Sequence, residues 1–130
     1  MKNGGAQMNI NKLNGAVDEL KEGLRTSLLA TDIWAVEDGM SLASFNPQPE
    51  ATALFNRITA DMNETLENSG FPALGRYYLL DLVDGNKVFI IPMGKYQWGI
   101  LVDSNAQLGL ILNVLLPKVV DKFEEALVED

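Results

Sequence analysis

The stretch RYYLLDLVDGNKVFIIPMGKYQWGILV, residues 76–102, decides how this chain folds. Two short breaks divide it. Asp84-Gly85-Asn86 and Gly94-Lys95 separate three runs, 76–83, 87–93 and 96–102, each rich in aromatic, β-branched and other apolar residues. Connections this short join antiparallel neighbours, because a parallel crossover takes about a dozen residues or more. Within the runs the apolar residues are continuous: Tyr77-Tyr78-Leu79-Leu80, Val88-Phe89-Ile90-Ile91 and Ile100-Leu101-Val102. An antiparallel sheet with one wet face alternates apolar and polar residues instead. This sheet is therefore predicted to be clad by helices on both faces.

Downstream, Ser104 followed by Gln107 matches a capping box, which satisfies two otherwise unpaired backbone donors at a helix start. The helix it opens carries a stripe of Leu108, Ile111, Leu112, Leu115, Val119, Phe123 and Leu127. Pro117 lies inside that stripe and deletes the hydrogen bond to the Asn113 carbonyl, so a kink or a restart is expected there. Leu110, Val114 and Leu116 make the helix apolar on a second side, which contact with the first helix or with a second subunit explains. Gly109 is read as a point of close helix–sheet approach.

Upstream, Ile10, Leu13, Val17, Leu20 and Leu24 recur at steps of three and four, the mark of a helix packed along one stripe. From 28 to 36 the helical period disappears. Glu37-Asp38-Gly39 then makes a turn, with Gly39 suited to positive φ, and 40–45 returns as the second strand of a hairpin. Pro49 can open a helix over 50–68, because its missing N–H would have no intrahelical partner there. Ala51, Leu54, Phe55, Ile58, Met62 and Leu66 share one of its faces. The predicted class is α+β: a five-stranded antiparallel sheet with helices on both faces, in the order α-β-β-α-β-β-β-α. Residues 1–8 read as a disordered N-terminal tail and 9–130 as a single domain.

Composition narrows the function. At 130 residues and 47% hydrophobic content the chain suffices for one continuous core. Eighteen acidic against ten basic residues give a net charge of −8, which repels phosphate backbones and anionic lipid surfaces. Nucleic acid and membrane are not expected as partners. The chain has no Cys and no His, so disulfides, thiol nucleophiles, thiolate or imidazole zinc sites and Ser-His-Asp triads are excluded. No metal, cofactor or catalytic residue is expected. Asp18-Glu19, Glu37-Asp38 and Glu124-Glu125 are sequence neighbours that point apart into solvent rather than across a cleft. Asp32 stands out by interrupting the apolar run of the first strand, and a strand end or backbone hydrogen bonds would accommodate it. Gly94-Lys95 lacks the remaining glycines and the helix of a phosphate-binding loop. The start of the sequence lacks a signal peptide's apolar core, and no run reaches the roughly 18 apolar residues that span a bilayer. A cytoplasmic protein that is not an enzyme is the expectation.

The Asp38-Gly39 turn followed by Leu42-Ala43-Ser44, the Asp84-Gly85 hairpin, and Ala106-Gln107-Leu108-Gly109-Leu110-Ile111 together resemble the roadblock / dynein light chain family. The family pattern at the last site is close to Asn-Leu-Gly-Leu, an apolar residue and often Arg. Here Gln107 replaces Asn and Leu112 stands where Arg is common. The resemblance spans about residues 9–127. It implies a profilin-like arrangement, with the second helix on one face of the sheet and the first and last on the other. It further implies a homodimer in which the third strand pairs across a two-fold and the second helices lie side by side. The implied interface comprises Leu54, Ile58, Arg76, Tyr77, Tyr78, Leu79, Leu80 and Asp81. So apolar an edge strand would be an aggregation hazard if unpaired, which gives the pairing a physical motive. In bacterial relatives the dimer regulates a small Ras-like GTPase; in eukaryotic relatives it is a light chain or scaffold subunit. The function so implied is a non-enzymatic homodimeric regulator of such a GTPase, with Arg57, Asp61 and Glu64 facing away from the sheet as partner contacts. The alternatives are a scaffold subunit without nucleotide dependence and a small-ligand sensing domain, which needs an internal cavity.

Overall fold

The computed structural model describes residues 9–127, so the tail read at 1–8 lies outside the described residues. The elements are α1 (Ile10–Leu24), β1 (Leu28–Ala35), β2 (Ser41–Phe45), α2 (Pro49–Asn68), β3 (Tyr78–Asp81), β4 (Lys87–Met93), β5 (Tyr96–Val102) and a last helix, α3, over residues 108–127. The strands form one sheet in the order β2-β1-β5-β4-β3, antiparallel throughout. The β1–β2 turn places Gly39 at φ +72, where a side chain would be strained.

One face of the sheet carries a dry core. Both α1 and α3 lie on it, and Leu13, Leu20, Phe89, Ile91, Trp98, Leu116, Val119 and Phe123 are fully enclosed between the layers. Phe123 meets the Trp98 ring edge-on, with centroids 5.5 Å apart. The Trp98 indole N–H donates to Thr31 Oγ1 at 2.6 Å, and Thr31 donates onward to the Gly99 carbonyl at 2.7 Å, so the largest core side chain is also hydrogen-bonded. Asn9 caps α1 by accepting from the Lys12 N–H. Lys118 and Lys122 of α3 both reach Glu19 of α1, at 2.7 and 3.3 Å. Close approach of these helices depends on Gly23, where a Cβ would lie 2.7 Å from Leu115 Cδ1. The close approach assigned to Gly109 is not found: a Cβ there would meet nothing within 4 Å.

On the other face α2 is held differently. Of the apolar side expected to pack, Ala51, Phe55, Ile58, Met62 and Leu66 are partly buried, and Leu54 is 53% exposed. Only Thr52 and Thr59 of this helix are buried. Phe55 packs against the sheet cluster of Trp34, Val88 and Ile90, and a polar row goes down beside it. Asn56 Oδ1 accepts from Trp34 Nε1 at 2.8 Å and from Gln97 Nε2 at 2.9 Å, while its own amide donates to the Val36 carbonyl at 3.0 Å. Thr59 Oγ1 donates to Gln97 Oε1 at 2.6 Å. Its single proton being spent, the 2.8 Å contact with Tyr78 must run from the Tyr78 hydroxyl to Thr59. Further along, Asn63 Oδ1 accepts from the Leu74 N–H and pins the loop that leads to β3.

Two local expectations are corrected and a third, at Pro117, takes a definite form. No capping box forms at Ser104 and Gln107. Asp103 closes a tight turn by accepting from the Asn105 N–H, and α3 begins at Leu108 with Gln107 as a cap that makes no side-chain bond. The restart expected at Pro117 is present, with a fresh α-helical run beginning at Leu116. The turn before it, Ile111–Leu115, widens so that the Leu116 N–H donates five residues back to the Ile111 carbonyl. A π-type turn is one way for a helix to continue past a residue that cannot supply its own donor. Lastly, β3 is shorter than 76–83: the Leu82 N–H bonds to the Asn86 carbonyl and the Gly85 N–H to the Leu82 carbonyl, so the turn claims the end of the run.

Candidate functional site

Two features meet on the α2 side of the molecule. The first is the β3 edge. Tyr78, Leu79, Leu80 and Asp81 pair with Ile90, Phe89, Val88 and Lys87 of β4, and no strand among the described residues takes the opposite edge. Tyr77, Leu82 and Val83, which flank β3, are exposed. The second is a cleft of about 410 Å³ between the sheet and the first half of α2. Leu54 of α2 and Leu82 beyond β3 both border it, so the exposed apolar side of α2 and the open edge of the sheet are neighbours.

Asp32 lines the same cleft. It sits in the middle of β1 opposite Gly99 and Ser44, only 8% exposed, and accepts a 2.6 Å hydrogen bond from the Ser41 hydroxyl. It is therefore neither at a strand end nor bonded to backbone donors, the two settings expected for it. Burial pushes its carboxyl above the ordinary range, and the Ser41 bond partly offsets this. Gly99 beside it leaves room for the Trp34 ring, since a Cβ would lie 3.1 Å from that ring.

No protein-family model matches the sequence, and no curated protein matches it. Solved structures do. MglB of Myxococcus xanthus aligns with a TM-score of 0.76 at 15% identity, over 95% of this chain and 96% of that one. A Roadblock/LC7 domain from Streptomyces avermitilis aligns at 0.61 and 11% identity, over 86% and 94%. The fold is the roadblock fold. Profilin of Schizosaccharomyces pombe shares the architecture more loosely, at 0.59 and 13% identity over 87% and 97%.

Within this roadblock fold the positions assigned from sequence fall into several settings. Tyr78 and Leu80 turn towards α2 and pack beside Trp34 and Ile90; burial raises the Tyr78 hydroxyl's pKa. Leu79 packs against the α1/α3 core instead. Arg76 precedes β3 and reaches α3, 3.1 Å from Asp121 and 3.4 Å from Glu124; those carboxylates raise its pKa, Asp121 foremost. Asp81 pairs with Lys87 at 3.4 Å. Ile58 is half-buried, while Leu54 and Tyr77 stand out into solvent. On the outer face of α2, Arg57 and Asp61 are exposed and pair with each other at 3.6 Å, and Glu64 is exposed one turn on. Sequence reasoning missed the cleft and the polar seat of α2. The signals present were Asp32 and Gln97, polar residues inside otherwise apolar strands. Among the described residues no helix is long and apolar enough to cross a membrane.

Proposed function

We propose that this chain is a cytoplasmic, non-enzymatic homodimeric regulator of a small Ras-like GTPase. The observation that carries the reading is the open β3 edge lying next to the exposed Leu54 of α2. A second copy related by a two-fold axis would pair β3 with β3 and bring the two α2 helices together, burying Leu54 and Ile58. The likeness to MglB and to a Roadblock/LC7 domain supports it, together with the sequence resemblance to a family whose bacterial members act in this way. In such a dimer the outer faces of α2 would present Arg57, Asp61 and Glu64 to the GTPase.

Sedimentation and light scattering at high micromolar concentration should give a dimer. Replacing Leu54 and Ile58 together by Glu should weaken that dimer by about 100-fold or more while the far-ultraviolet spectrum stays folded. Capture experiments with the dimer should retain a GTPase, identified by mass spectrometry, in one nucleotide state and not the other, and Arg57→Glu should abolish capture without dissociating the dimer. A strictly monomeric protein overturns the reading. Stoichiometric binding indifferent to nucleotide points instead to a scaffold subunit.

A further inference from the structure

We propose that the cleft between α2 and the sheet binds a small organic cation, an ammonium group carried on an apolar alkyl or aryl body. The proposal goes beyond the regulator reading, and it requires the proposed dimer to leave the cleft open. At about 410 Å³ the cleft falls within the size of small-molecule sites. Its walls are apolar, with Ala30, Ala51, Phe55, Val88, Ile90 and Leu101 contributing from α2 and three strands. Against these walls sits one buried charge. Among the described residues Asp32 has a single side-chain hydrogen bond, from Ser41, although an ionised carboxylate offers about four acceptor positions. No Lys or Arg among the described residues lies within ion-pair distance of it.

Charge selects the ligand class. The lining includes a second carboxylate, Glu50 in the first turn of α2, and no basic side chain. An anion would be repelled. A neutral apolar molecule would leave the buried carboxylate without a counter-charge. A cation supplies the opposite charge, and further donors beside the Ser41 hydroxyl, at a buried carboxylate that has no basic partner among the described residues. The apolar body then accounts for the remaining walls.

The experiment titrates the full chain with n-hexylammonium and phenethylammonium, and in parallel with n-hexanol and hexanoate, read by calorimetry and by amide chemical shifts. Both ammonium ions are expected to bind saturably and to shift amides of β1, β4, β5 and the first half of α2; hexanoate is expected not to bind. Asp32→Asn, which keeps the side-chain shape, should weaken ammonium binding by about tenfold or more while leaving hexanol unchanged. Ala51→Leu, which narrows the cleft from the helix side and leaves Asp32 in place, should remove binding of both ammonium ions. The proposal is overturned if neither ammonium saturates by about 10 mM, a ceiling weaker than any useful affinity. It also fails if hexanol binds as well as hexylammonium, or if Asp32→Asn binds the ammonium as tightly as the parent. Affinity that falls as protein concentration rises would show a second copy of the chain to be the occupant, and would equally overturn it.

Discussion

Asp32 shows how one side chain couples packing to pH. Its carboxyl accepts from the Ser41 hydroxyl, and burial favours the protonated form in the folded chain. In the unfolded chain the group ionises around its ordinary value of 3.8. As pH rises through that value the folded state keeps a proton that the unfolded state has lost, so stability declines until the folded group has ionised as well. Below the ordinary value both states are protonated and the penalty is absent. Asp32→Asn removes the charge and can still accept from Ser41. It is expected to be more stable than the parent at neutral pH, with the difference closing as pH falls towards 3.8. Urea titrations at a series of pH values check this; an Asn variant less stable than the parent at neutral pH contradicts it.

At the scale of elements, α2 is the part whose attachment differs from its sequence pattern. A helix seated by an apolar stripe loses stability in proportion to the area trimmed. One seated by hydrogen bonds loses it in steps, because each buried donor left without a partner costs roughly 1–3 kcal/mol. Asn56→Ala strands the Trp34 indole N–H and the Gln97 amide together. The expected loss is about 2–4 kcal/mol, with faster amide exchange in α2 than in β4 or β5. Equal loss of protection throughout the sheet would argue against α2 as a separately seated element. The widened turn in α3 is the other element-scale finding. Its cause, Pro117, is plain in the sequence, but the remedy depends on Ile111 and Leu115 both being held in the core.

At the scale of the whole molecule the two faces of the sheet are unequal. The α1/α3 face is dry and interlocked, whereas the α2 face is polar at its seat and open at its cleft. Truncating an aromatic residue should therefore cost very different amounts on the two sides. Phe123→Ala is expected to lose about 3–5 kcal/mol, since it empties a site against Trp98. Phe55→Ala, at a half-buried position beside the cleft, is expected to lose only about 1 kcal/mol. Denaturant midpoints measure both, and similar losses would contradict the asymmetry. The less stable layer is also the one that carries the open sheet edge and the outer face of α2, where regulatory contacts are proposed.

The sequence by itself determined the strands and helices, their order, the antiparallel connections of β3, β4 and β5, and the burial of both sheet faces. Each of these follows from a helical period of 3.6 residues, from apolar runs that do not alternate, or from loops too short to allow anything else. Only the tertiary structure decided which side of α2 meets the sheet, where Asp32 points and that a cleft lies beside it. Those outcomes rest on partners far apart in the chain: Asn56 joins Trp34 across 22 residues and Gln97 across 41. A periodic pattern registers how apolar a helix face is. It carries no record of the indole, amide and hydroxyl groups that three separate strands will set beneath it.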